Sequence, residues 1–390
     1  MDEQLIENDE AMPENSRVAA DDSDNCGACG NEKTVELCTV LKKHRGERHA
    51  VLLQDYPDPD AISCGEAYRR IVEKFGIEVD LLYAGRVSHQ ENIALINLLN
   101  ISLTCWDSEF VPQDQYQGVV FVDNQGTTCR LTDRFLAAGI PVVAMMDHHA
   151  WQENLDQLKP EFVDVRFVGA CATLFATYLE QGIMPLENSN SDHRNLATAL
   201  MHGIVSDTGA MIQAQSLDLN AAAYLQPFFD TEMLLEILHQ KRSHKTMEVI
   251  RIALADRVTR AGVCLAGVGF LRTADRDAVP QAAEFLLSEE NVHTVIVYAI
   301  VTKKNGEEML SGSLRTSKHT LAPDTFLKDV LGHDREGKYY GGGKDAAGGF
   351  EIPLGFLSGT DGKVLSNMKW DAYSRKLRKR FFEKIGVEDV

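Results

Sequence analysis

Short apolar runs punctuate the first half of the chain, and four of them stop at an acidic residue or acidic cluster. Val51-Leu52-Leu53 leads into Gln54-Asp55-Tyr56-Pro57-Asp58-Pro59-Asp60, and Val119 to Val122 ends at Asp123. Pro141 to Met146 ends at Asp147-His148-His149, and Gly203-Ile204-Val205 ends at Ser206-Asp207. Runs this short, without helical periodicity, read as buried strands wherever turn residues bound them. Between them, 35–43, 61–75, 92–99, 132–138, 172–179 and 195–205 carry apolar residues at helical spacing. Strands alternating with helices predict a doubly wound, mainly parallel α/β sheet. In such sheets ligands bind beyond the carboxyl ends of the strands, which is where these polar clusters would fall.

The pattern changes after residue 217. Leu225, Phe228, Leu234, Ile237, Met247 and Ile250 recur at mostly helical spacing with no strand between them, a helical connector. Two long apolar runs, 263–271 and 292–301, then open a second, smaller α/β domain with a third strand at 309–315, a short helix at 325–331 and a glycine-rich stretch, 341–349. At the end Trp370, Tyr373, Leu377 and Phe381 form one helix stripe, with Arg375, Lys376, Arg378 and Lys379 off it as a solvated basic face. The expected division is a disordered acidic arm over 1–31, a metal-binding domain over 32–217, the connector over 218–256, the smaller domain over 257–360 and a C-terminal helix over 361–390.

Composition narrows the functional classes. At 390 residues and 44% hydrophobic, the chain is long enough for two cores. A net charge of −19 does not attract duplex nucleic acid through counterion release. No apolar run is long enough to span a bilayer and no leader pattern is present, so a cytoplasmic protein with no membrane partner is expected. The eight cysteines are scattered and read as buried thiols. Cys26 and Cys29 form a C-x-x-C that lacks the further ligands of a structural zinc site.

The chemistry lies in Asp58, Asp60, Asp123, Asp147, His148, His149 and Asp207. Pro57 and Pro59 restrict the loop that carries the first pair. Carboxylates mixed with imidazole suit Mn²⁺ or a similar octahedral ion better than a thiolate zinc site. Two such ions sharing a carboxylate would activate water and clamp a phosphoryl oxygen.

These motifs, in this order, resemble the DHH phosphoesterase superfamily, named for the triplet seen at 147–149. Gln54 to Ala61 is similar to its first motif, His-x-x-x-Asp-x-Asp-Ala; Asp123 falls at the second motif and Asp207 at the fourth. The stretch 341–349 resembles the Gly-Gly-Gly-His-x-x-Ala-Ala-Gly of the DHH-associated C-terminal domain. The similarity runs from about residue 33 to 360, and its pattern is nearest the oligoribonuclease/pAp-phosphatase subfamily. It implies a Mn²⁺-dependent phosphoesterase hydrolysing short RNA or DNA oligonucleotides or a small nucleotide with metal-activated water, the smaller domain closing over the nucleotide. Asp58, Asp60, Asp123, His148 and Asp207 would then be metal ligands, with Asp123 the bridge. Asp147 would orient its neighbours and His149 would meet the substrate or back up the ligands. Arg315 would grip a phosphate, while Gly341, Gly342 and Gly343 would bring backbone N–H groups to the nucleotide and Lys344 would offer a point charge.

Two departures bear on activity. The first motif has Gln54 where the family has histidine, and the glycine-rich motif has Lys344 where the family has histidine. Of these departures, Gln54 predicts two unequal ions, one tight and one weak. Both departures also keep open a nucleotide-binding sensor with attenuated catalysis, beside a cyclic-dinucleotide phosphodiesterase as a further alternative. A homodimer is compatible with all of these.

Overall fold

Alternate residues of the central strands go to opposite faces of one sheet, and both faces are covered. A computed structural model describes residues 31–87, 89–106, 108–109, 111, 114–152, 158–303, 305–344, 346–359 and 362–387. The acidic arm, apart from Asn31, lies outside them. The chain folds as two units, the first ending at Gln240 and the second starting at Lys241.

The first unit holds β1 (Arg48–Leu52), β2 (Glu78–Tyr83), β3 (Leu103–Cys105), β4 (Gly118–Val122), β5 (Val142–Asp147) and β6 (Phe162–Val165), in the order β3-β2-β1-β4-β5-β6. Every pairing in this sheet is parallel. Ala50, Leu52, Val119 and Phe121 enter one apolar cluster. Val51, Leu53, Val120 and Val122 enter another, against α1 (Glu32–Lys43), α2 (Pro59–Glu73), α5 (Cys171–Glu180) and α6 (Ser191–Asp207). Two covered faces explain why these strands read as unbroken apolar runs rather than alternating ones. The strand order reverses between β1 and β4, the switch point at which an open α/β sheet leaves a crevice. Between them, α3 (Gln90–Leu98) and α4 (Thr132–Ala137) complete the layers.

The second unit is a mixed sheet, β11-β12-β10-β9-β8-β7, formed by β7 (Val258–Arg260), β8 (Val263–Arg272), β9 (Thr294–Thr302), β10 (Glu308–Thr316), β11 (Gly341–Lys344) and β12 (Ala347–Pro353). Only β8 and β9 pair in parallel, through the crossover helix α10 (Ala278–Leu286). One face packs on α9 (His244–Asp256) and α10, the other on α11 (Pro323–Leu331) and α12 (Lys363–Lys384). The glycine-rich stretch is a β-hairpin at the sheet edge. It must be nearly bare there because α11 lies close on it: a Cβ on Gly348 would sit 2.7 Å from Leu327 Cδ1.

The helices after residue 215 serve different cores. Leu225 of α7 (Ser216–Leu225) and Leu234 and Ile237 of α8 (Thr231–Leu238) join the first unit's core, whereas Val249 and Ile250 of α9 join the second's. Likewise Leu377 and Phe381 of α12 are buried within the second unit. None of the described helices is long and apolar enough to cross a membrane. The cysteines depart from expectation at two places: Cys105 is exposed, and Cys38 is disulfide-bonded.

Candidate metal centre

Four segments at the carboxyl ends of β1, β4 and β5 and the end of α6 meet at the switch point. Asp58 caps α2, its Oδ1 accepting from the Ala61 N–H at 2.9 Å, with Pro59 preset for the first helical turn. Asp60 follows in that turn and is fully buried. Its carboxylate lies at the N-terminus of α5, accepting from the backbone N–H of Cys171 at 2.6 Å and Ala172 at 2.8 Å. Those are donors that a helix start leaves unpaired, and the helix dipole favours a negative charge there. Gly203 lets α6 pass close over this point, since a Cβ would lie 2.6 Å from Ser63 Oγ and 3.0 Å from Asp60 Oδ1.

Asp123 leaves β4 in the left-handed region, φ +55, which a short polar side chain tolerates. Its N–H donates to the Met146 carbonyl at 2.9 Å, and Asn124 Nδ2 donates to the Val122 and Leu52 carbonyls, fixing the turn. Asp147 ends β5 fully buried. It accepts from Gln125 Nε2 at 2.6 Å and from the His148 N–H at 2.9 Å, and lies 2.8 Å from His149 Nδ1. Asp207 is the last residue of α6.

His148 is the centre of the set. Its Nδ1 is 3.1 Å from the Val168 carbonyl, an acceptor only, so that nitrogen carries the proton. The other nitrogen, Nε2, then presents its lone pair 3.3 Å from Asp123 Oδ1, 3.5 Å from Asp207 Oδ2 and 3.9 Å from Asp60 Oδ2. His148 Nε2 and Asp123 Oδ1 are both buried with no hydrogen-bond partner. A lone pair facing three carboxylates is repulsive unless something positive stands between them. The ligand atoms of Asp60, His148 and Asp207 lie within 4.8 Å of one another, as do those of Asp123, Asp147, His148 and His149. An imidazole nitrogen among carboxylate oxygens fits a divalent ion of the Mn²⁺ type.

The electrostatics agree. Burial and the neighbouring carboxylates hold the Asp123 carboxyl well above the usual range. Burial, then Asp60 and Asp58, push Asp207 up to about 9. Burial also raises Asp60 to about 6, against the opposing hydrogen bonds from the Ala172 and Cys171 N–H groups. Protonation is how these carboxyls share a site without a cation. Asp147 moves the other way: burial would raise it, but the hydrogen bonds from His149 and Gln125 win and lower it. It is a fixed anion behind the two imidazoles.

The side chains anticipated in the first unit therefore share one place. Gln54 belongs with them, its Nε2 2.8 Å from Asp58 Oδ2 and 3.5 Å from Asp123 Oδ2. The remaining candidates lie in the second unit. Arg315 on β10 is engaged by Glu284 at 3.1 Å and Ser313 Oγ at 2.8 Å. Gly341 and Gly342 edge a cavity of about 620 Å³ also lined by Arg276, Lys338, Tyr339 and Tyr340, and Lys344 is exposed. Sequence reasoning missed Gln125, the Val168 carbonyl and Asp218. Buried Asp218 accepts from the Gly169 N–H at 3.0 Å and lies 2.6 Å from Thr173 Oγ1, securing the turn that carries Val168. Gly169 was the available signal: a Cβ there would lie 2.4 Å from Asp218 Oδ2.

A six-stranded parallel sheet with carboxylates and imidazoles gathered at its switch point, followed by a second sheet domain, is a fold this chain shares with a solved structure. The chain belongs to one family with the uncharacterized protein MJ1633 of Methanocaldococcus jannaschii, being 34% identical to it over 360 residues, which cover 90% of this chain and 68% of MJ1633. No family model matches. An exopolyphosphatase-related protein from Bacteroides fragilis superposes with a TM-score of 0.63 at 13% identity, over 90% of this chain and 97% of that one. RecJ from Thermus thermophilus in complex with Mn²⁺ aligns with a TM-score of 0.46 at 14% identity, over 94% of this chain and 58% of RecJ.

Proposed function

We propose that the chain is a metal-dependent phosphoesterase acting on short oligonucleotides or small nucleotides, in the manner of oligoribonucleases and pAp phosphatases. The observation that carries this reading is the buried His148 Nε2 lone pair among Asp60, Asp123 and Asp207. Asp58, Asp60, Asp123, His148 and Asp207 would hold a divalent cation, and Asp123 would be the shared ligand if two ions bind. A divalent cation there supplies Lewis-acid polarisation of a phosphoryl oxygen and lowers the pKa of water. The protein's own groups set the geometry. The Val168 carbonyl fixes the His148 tautomer, α5 fixes Asp60, and Asp147 holds the half-exposed His149 ring by Nδ1. Arg315 exchanges Glu284 for a substrate phosphate, a contact its planar fork suits. Within the second unit, the Gly341–Gly343 strand and Lys344 are the candidate nucleotide contacts.

The test is to strip the full chain with chelator and assay it with and without Mn²⁺ on pAp, short RNA, a cyclic dinucleotide and inorganic polyphosphate. Mn²⁺-dependent release of product from pAp or short RNA is the expected result. Turnover of polyphosphate alone would overturn the nucleotide assignment, and no turnover of any substrate would overturn the enzyme.

One observation favours a second reading. Gln54 places a neutral amide, turned as a donor toward Asp58 and Asp123, where the family has an imidazole ligand. A nucleotide sensor with weakened catalysis would bind pAp tightly with its ions in place and release no product.

A further inference from the structure

A second group of side chains lies at the opposite end of β1. His44, at the end of α1, and Glu47 and His49, entering β1, are separated by one tight turn through Gly46, φ +77. Two imidazoles converge on one carboxylate oxygen: Glu47 Oε2 is 2.7 Å from His44 Nδ1 and 3.3 Å from His49 Nε2. All three ligand atoms lie within 4.8 Å of one another. Ions bound at 2.0–2.2 Å by four tetrahedral ligands keep those ligands roughly 3.3 Å apart, which the Glu47–His49 pair matches and which the Glu47–His44 pair, now at hydrogen-bond distance, reaches by opening about 0.6 Å.

What surrounds the three is as telling as the three themselves. A metal-binding histidine characteristically gives its other nitrogen to a carboxylate, carbonyl or hydroxyl, which sets ring and tautomer. Here His44 Nε2 is 3.2 Å from Glu161 Oε1, and His49 Nδ1 is 2.8 Å from Tyr68 Oη. Lys43 in turn faces the Glu161 carboxylate at 3.6 Å. Space is made for the inner ring. Gly118 of β4 has no side chain where a Cβ would lie 2.9 Å from His49 Cδ2 and 3.1 Å from its Nε2. His49 is fully buried, while Glu47 keeps 29% of its side chain exposed, a route of entry for an ion.

We propose that His44, Glu47 and His49 form a second cation site of the two-histidine, one-carboxylate kind, selective for Zn²⁺ or a similar nitrogen-seeking ion, with water as the fourth ligand. It ties the α1–β1 turn to the sheet and is independent of the phosphoesterase reading. The spacing His-x-x-Glu-x-His over 44–49 is its sequence signature. The rival is a cation-free relay, with Tyr68 donating to His49 and both imidazoles donating to Glu47.

The experiment titrates the full chain carrying Asp123→Asn with Co²⁺ and with Zn²⁺ in excess Mg²⁺, which occupies oxygen-rich sites and leaves nitrogen ligands alone. One Co²⁺ with the visible bands of four-coordinate geometry, displaced by one Zn²⁺ with a rise in Tm, is expected. His44→Gln should abolish it. Glu161→Gln, partly exposed and outside the ligand set, should weaken it about 10–100-fold with the fold unchanged. No saturable binding, or binding that neither substitution alters, would leave only the hydrogen-bond relay and overturn the proposal. If His44→Gln does not fold, Glu161→Gln decides alone.

Discussion

Asp123 carries more of the proposed chemistry than any other single side chain. Its Oδ1 is buried without a partner and faces His148, while its Oδ2 faces Gln54. Asp123→Asn keeps the shape and removes the charge. It should lower turnover by several orders of magnitude while circular dichroism stays native; near-normal turnover would remove Asp123 from the cation site. Gln54 is the opposite case, a residue that weakens what is built around it. Its amide satisfies Asp58 and Asp123 with hydrogen bonds, so a cation must compete with it. Gln54→His restores a nitrogen ligand and should lower the Mn²⁺ concentration needed for half-maximal activity. Calorimetric titration of both proteins checks this, and two equally tight ions in the unmodified chain would contradict it.

At the scale of elements, the turn between β6 and α5 is the support on which His148 depends. Asp218 at the start of α7 accepts from the Gly169 N–H, and the adjacent Val168 carbonyl accepts the hydrogen bond from His148 Nδ1–H. Asp218→Ala leaves buried donors unsatisfied, a loss of about 1–3 kcal/mol in stability, read by denaturant titration. It should also weaken cation binding, because the imidazole loses its fixed tautomer; unchanged affinity would show that Val168 holds by itself. Such supports were hard to read in the sequence, while the candidate ligands were plain. Asp123 and Asp147 each close an unbroken apolar run, and that juxtaposition needs no tertiary knowledge. Gln125 continues the polar run Asp123-Asn124 and Asp218 stands between Leu217 and Leu219 at the start of a helix, and only packing shows that both are buried. The hairpin of β11 and β12 was hidden because glycine has no side chain to display a period. β3 has only three residues, too few for alternation to register. Lys369, between Met368 and Trp370 on α12, reads as an ordinary surface lysine, yet it is buried against Glu308 at 2.6 Å, a partner 61 residues away.

For the whole molecule, the crowding of carboxyls couples cation, proton and stability. Asp207 at about 9 and Asp60 at about 6 stand above the ordinary 3.8 of an unfolded chain. Between those values the metal-free native state keeps protons that the unfolded state has released. Raising the pH therefore costs the metal-free protein stability, from about pH 4 through 6 for Asp60 and through 9 for Asp207. A bound cation keeps the same groups ionised and removes that loss. The gap in Tm between Mn²⁺-loaded and chelator-treated protein should widen from pH 5 to pH 8, and a gap that narrows would mean that these groups ionise without the ion.

The strand order also has a consequence for how the molecule comes into being. β1 lies at the middle of its sheet, paired on one side with β2 and on the other with β4. As the chain leaves the ribosome, the β2 side is available early, but the other edge of β1 stays bare until residues 118–122 emerge. Through that interval an apolar strand edge is open to pairing with other chains, the exposure from which slow, non-local parallel sheets suffer. The proposed cation ligands are divided the same way, Asp58 and Asp60 before the gap and Asp123, His148 and Asp207 after it. A cation thus cannot template the early steps of folding. It arrives at a finished crevice and acts as a lock, and in stopped-flow measurements it should slow unfolding while leaving the refolding rate unchanged.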